Sequence, residues 1–102
     1  MASYEDLIKF SEGDKIKFIH YSSISPRPVC IGTVEQVWGM TLRHILARTY
    51  EMDVRINKVL SPDWAKKDLE GHKTRIMVRP DAESSGDIQK LSPEEYEKYM
   101  NS

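Results

Sequence analysis

Two stretches of the chain alternate apolar and polar residues, and each predicts a strand with one buried face. Over residues 15–21, Ile16 and Phe18 fall on one side and Lys15, Lys17, Ile19 and Tyr21 on the other. Over residues 74–79, Ile76 and Val78 oppose Arg75, Met77 and Arg79, and Pro80 closes the run. Residues 29–38 read as a further strand, in which Gly32 marks a bulge or bend. Apolar residues three and four apart predict helices elsewhere. Residues 3–10 form a short one, capped by Ser3, before Glu12-Gly13-Asp14 turns the chain. Ser61-Pro62-Asp63-Trp64 starts a second, which runs to Glu70 and stops at Gly71. Ser92-Pro93-Glu94-Glu95 starts a last one that reaches about Met100. Residues 22–28, with prolines on both sides of Arg27, read as an extended loop, and residues 81–90 as a mobile linker.

Residues 41–60 fit two patterns. As a hairpin they give strands at 42–49 and 53–59, with Ile45, Thr49, Val54, Ile56 and Val59 as β-branched support. As one long helix they place Leu42, Ile45, Leu46, Thr49, Met52, Ile56, Val59 and Leu60 at helical spacing. No Gly or Asn marks a hairpin turn near Glu51-Met52, so periodicity favours the helix.

A length of 102 residues, 39% of them hydrophobic and 30% charged, describes one globular domain. The single cysteine, Cys30, allows no internal disulfide. With no apolar stretch of membrane-spanning length and no signal-like N-terminus, the expected location is the cytoplasm. The net charge of −1 conceals a division. Residues 13–79 hold twelve Lys and Arg against seven Asp and Glu, while both ends are acidic. A basic body can suit an anionic partner, but a plain balance of solubility is the favoured reading.

The segments Gly13-Asp14-Lys15-Ile16-Lys17-Phe18 and Gly32-Thr33-Val34-Glu35-Gln36-Val37 resemble the opening strands of small Src-homology and Sm-like barrels. Val54-Arg55-Ile56-Asn57-Lys58-Val59 is similar to the Phe-Arg-Leu-Asp-Arg-Ile signature of WYL-type domains. Ile16-Lys17-Phe18 with Tyr21 resembles their first strand, and Ile45-Leu46-Ala47 falls where their Tyr-Leu-x-Ala strand lies. The namesake Trp-Tyr-Leu triplet is replaced by His44-Ile45-Leu46. The resemblance favours strands over residues 41–60. It implies a non-enzymatic barrel that binds nucleic acid, a nucleotide or a protein segment, with Arg55 and Lys58 as the matching basic residues.

The fold expected is mainly β with short helices, as a small five-stranded SH3-like barrel. Residues 1–80 would make the barrel and its N-terminal helix, and 81–102 an acidic linker and C-terminal helix. The alternative is an α+β fold with 41–60 a long helix on a small antiparallel sheet.

Metal and catalytic chemistry find little to stand on. His20, Cys30, His44 and His72 lack the close pairing of structural metal sites. No serine sits in a strained elbow and no Gly-rich phosphate loop occurs. The expectation is a chain without cofactor or metal, and not an enzyme. Cys30, between Val29 and Ile31, reads as an inert buried thiol, and Trp38 and Trp64 as packing groups. The remaining pattern is basic with aromatics nearby. Lys15, Lys17, Tyr21, Arg27, Arg48, Arg55 and Lys58 form the candidate nucleic-acid or nucleotide site, since ammonium and guanidinium groups neutralise phosphates while tyrosine stacks on bases. A second expectation is a protein-interaction or inhibitor module using Trp64, the terminal helix and the Ser25-Pro26-Arg27-Pro28 loop.

Overall fold

A turn at residues 11–14 launches the first strand. The Asp14 carboxylate accepts from the Ser11 N–H at 2.9 Å, and Gly13 takes the positive φ of 92° that a side chain would resist. A computed structural model describes residues 7–20, 27–39, 41–79 and 86–102. In chain order these give β1 (Lys15–Ile19), β2 (Val29–Trp38), α1 (Leu42–Ala47), β3 (Tyr50–Ser61), α2 (Ala65–Leu69), β4 (Lys73–Val78), β5 (Ile88–Leu91) and α3 (Pro93–Met100). The protein is mainly β, with three short helices among the described residues.

The strands form one antiparallel sheet in the order β4-β3-β2-β1-β5. Its inner face holds the core: Ile16, Phe18, Val34, Met52, Val54, Ile56, Ile76 and Val78 are buried together, joined by Phe10, Tyr50 and Ala65 of α2. Register shifts between β2 and β3 at Ile31/Gly32 and at Val34/Gln36 add unpaired residues, which bend both strands around that core. Gly32 sits at the first shift for a packing reason. A Cβ there would lie 2.5 Å from Val54 Cγ1 and 2.8 Å from the Arg55 carbonyl oxygen.

Several expectations change. β4 and β5 are the two edges and do not pair among the described residues, so the sheet is open and the five-stranded SH3-like barrel is not closed. The four residues of β5 pair only with β1, and beyond that ladder the Ile19 N–H donates to the Asp87 carbonyl at 3.0 Å. Residues 41–60 are neither a hairpin nor one long helix. The hydroxyl of Thr41 accepts from the His44 N–H and starts α1, Arg48 in the left-handed conformation ends it, and the alternation of Tyr50, Met52, Val54 and Ile56 carries the chain on as β3. Ser61 ends β3 instead of capping α2, whose N-cap is Trp64 with no side-chain hydrogen bond. The expected linker of residues 81–90 contributes β5, and residues 81–85 lie outside the described ones. Of the expected N-terminal helix only residues 7–10 are described; Leu7 lies in a 3-10 turn, and Phe10 is a core residue in non-regular chain.

Candidate interaction surface

The outer face of the sheet carries the polar side chains, and it divides in two. Over β1, β2 and the far end of β3 lies α3. Its start is fixed by a capping box: Ser92 Oγ accepts from the Glu95 N–H at 3.1 Å, and the Glu95 carboxylate accepts from the Ser92 N–H at 3.0 Å. That hydrogen bond holds the Glu95 carboxyl below the usual carboxylate range. The helix turns Tyr96 and Tyr99 to the sheet. Lys15 Nζ stands 4.9 Å from the centre of the Tyr96 ring and donates to Thr33 Oγ1 at 2.9 Å. Lys17 Nζ stands 5.3 Å from the centre of the Tyr99 ring. Lys58 Nζ donates to the main-chain oxygens of Tyr99 and Ser102 at 2.8 and 2.6 Å. Asn57 Nδ2 donates to Tyr96 Oη at 3.1 Å. Ile31, between Lys17 and Lys58 in register, is fully buried on this side.

The fold therefore gathers three of the predicted basic residues, Lys15, Lys17 and Lys58, and covers them with the chain's own helix. Arg55 shares the face but spends its guanidinium on the Gly71 carbonyl at 2.9 Å and on Glu35 at 3.4 Å. Arg48 is exposed at the end of α1, and Arg27 is exposed before β2; both lie outside the lysine cluster. Tyr21 lies outside the described residues.

The other half of the outer face runs from Trp38 across Glu51 to Met77, three residues opposite one another on β2, β3 and β4. Trp38 is not a core group. Its ring lies 5.1 Å from the Arg75 guanidinium, and its indole N–H donates to Asp53 Oδ2 at 2.8 Å. Asp53, only 5% exposed, also accepts from Arg75 Nε at 2.9 Å. The bond from Arg75 chiefly holds the Asp53 carboxyl below its ordinary range, with help from Trp38 and against the effect of burial. Trp64 is half-exposed at the start of α2. Cys30 is buried, and its thiol is pushed up to about 12, first by burial and then by Glu70, so it stays protonated and unreactive.

Sequence reasoning missed the most exposed apolar residues in this region. α1 buries none of its residues. His44 turns toward the sheet and meets Glu51 at 3.1 Å, which leaves the opposite side of the helix to solvent. Leu42 and Leu46 are 72% and 75% exposed, with Ile45 beside them. Arg43 and Arg48 flank them, and α1 carries no acidic residue. The signal was present as helical spacing at residues 42, 45 and 46, but it gave no sign that the apolar side would face outward.

Comparison with known proteins finds no matching family model, no matching curated protein and no matching solved structure.

Proposed function

We propose that this chain is a protein-binding module, not an enzyme, and that it docks its partner at the α1 end of the sheet. One observation carries the reading: a helix held in place by the Thr41 cap and the His44–Glu51 contact presents Leu42, Ile45 and Leu46 to solvent. A helix of six residues has little stability of its own. Fixing its polar side to the sheet while its apolar side stays wet suits a surface completed by a second molecule. Arg43 and Arg48 beside the leucines, without a neighbouring acid on the helix, favour a partner that sets carboxylates beside apolar anchors. The nucleic-acid reading draws on Lys15, Lys17 and Lys58, and their cover by α3 gives it less support.

Replacing Leu42→Asp together with Leu46→Asp tests the proposal. Burying one leucine is worth about 1.5–3 kcal/mol, so peptides selected from a random library on the native chain should lose at least about tenfold in affinity for the double variant. Neither residue contributes to the core, so the unfolding midpoint should not move. Equal affinity of both proteins for every selected peptide would end the proposal.

A further inference from the structure

β4 has one bonded side and one open side. It pairs with β3, and among the described residues no strand lies on its other flank. The N–H of Ile56 donates to the His72 carbonyl at 2.8 Å, which fixes the phase of the ladder. Antiparallel pairs alternate between those that exchange hydrogen bonds and those that do not. Counting on in twos, Thr74, Ile76 and Val78 bond toward β3. The N–H and C=O groups of Lys73, Arg75 and Met77 point to the open side.

A cleft of about 360 Å³ runs along that side. Residues 74–77 and Arg79, with Glu51 of β3, make one wall, and residues 18–20 at the end of β1 make the other. The buried Nδ1 of His20, in the second wall, has no hydrogen-bond partner among the described residues. The cleft thus offers main-chain groups along one side, apolar surface chiefly from the exposed Met77 above the buried Phe18 and Ile76, and a polar atom unpartnered among the described residues.

We infer that the open edge of β4 receives an extended segment of a protein partner as an added strand, with alternate residues apolar toward the cleft and acidic toward the outer face. The inference rests on the protein-binding reading and adds to it the form and charge of the bound segment. Lys73, Arg75 and Arg79 all lie on this edge strand or directly after it; Lys73 meets Glu35 at 3.9 Å and Arg75 meets Asp53 at 2.9 Å, and both keep about half of their side chains exposed, at 49% and 53%. Opposite charges across adjacent strands stabilise the pairing, and like charges directly opposite destabilise it. A second copy of β4 would set lysine and arginine against lysine and arginine, so it is the disfavoured occupant. The same charges deter chance pairing with apolar edges while admitting an acidic strand.

The experiment uses the full chain, isotope-labelled and titrated with two peptides of about six residues, the length of an ordinary strand. One alternates valine with glutamate and the other valine with lysine. The expected result is slowed hydrogen exchange at the amides of Lys73, Arg75 and Met77 with the first peptide alone. Met77→Pro should weaken that binding at least about tenfold with the fold kept, because the lost N–H faces away from β3. Lys73→Glu with Arg79→Glu leaves the main chain untouched and should reverse the preference between the peptides. Absence of protection at the three amides overturns the inference, as does undiminished binding to Met77→Pro. Protection that arises without peptide, in a dimer that Met77→Pro abolishes, overturns it in favour of a second copy. A valine–glutamate peptide that shifts only Leu42 and Leu46 overturns the strand addition and leaves the module reading standing. Loss of that reading shows separately, in the leucine variants of α1.

Discussion

Gly32 is the residue at which β2 meets its neighbours most closely. β2 and β3 come so close there that the place of a Cβ is taken by Val54, with Phe18 3.1 Å away on the other side. Neither neighbour is a flexible surface group, since both are core residues. Gly32→Ala is therefore expected to cost at least about 1–3 kcal/mol, the usual penalty of overpacking a filled core. Urea unfolding measures it; a variant as stable as the parent would mean that the strands can part without loss. The glycine was legible in the sequence as a bulge marker. The crowding was not, because Phe18 and Val54 lie far from it in the chain and meet it only through strand pairing.

Among the elements, α3 is the one whose sequence signals and contacts agree most fully. Ser92, Pro93 and Glu95 place its start, and both hydrogen bonds of the capping box form. Eight residues are still too few to hold a helix in water. Its stability comes from Tyr96 and Tyr99 against the lysines of β1, and from the Lys58 bonds at its end. Tyr96→Ala with Tyr99→Ala is expected to speed amide exchange in residues 93–100 by at least about tenfold, or about 1.4 kcal/mol of local stability. Amides of β3 should stay protected. Exchange unchanged in both elements would show that the tyrosines do not hold the helix. α1 is the contrasting case. The spacing of its apolar residues is helical, yet a helix and a strand remained open there because six residues give too short a period to decide. Only the Thr41 cap and the left-handed Arg48 settle it.

At the scale of the whole molecule, the pH dependence of stability follows from three groups whose protonated forms the fold disfavours. Burial lowers the pKa of His20. Asp53, bonded by Arg75 and Trp38, and Glu95, bonded by Ser92, are both held below their ordinary values. In each case the unfolded chain binds its proton at a higher pH than the folded one, so stability falls as pH falls. The loss from His20 begins as pH drops through about 6.5, and the loss from the two carboxyls begins below about 4. Urea midpoints followed across this range should show both stages, with His20→Gln removing the first and Asp53→Asn much of the second. A flat profile down to pH of about 4 would remove His20 from the account.

The alternation over residues 15–21 and 74–79, the glycines at turn and bulge, and the capping box at Ser92 were enough in the sequence to determine β1, β2 and β4, the buried sides of β1 and β4, and the last helix. These features act over a few neighbouring residues, so local chemistry specifies them. Tertiary structure alone decided which surface remains open. Lysines on alternate positions of a strand read as exposed until a helix some eighty residues away lays two tyrosines over them. An apolar side of a helix reads as core until its histidine, on the opposite side, is the group that meets the sheet. Exposure is a property of everything that packs from elsewhere in the chain, and hydrophobic pattern records only what each segment would bury, not what arrives to cover it.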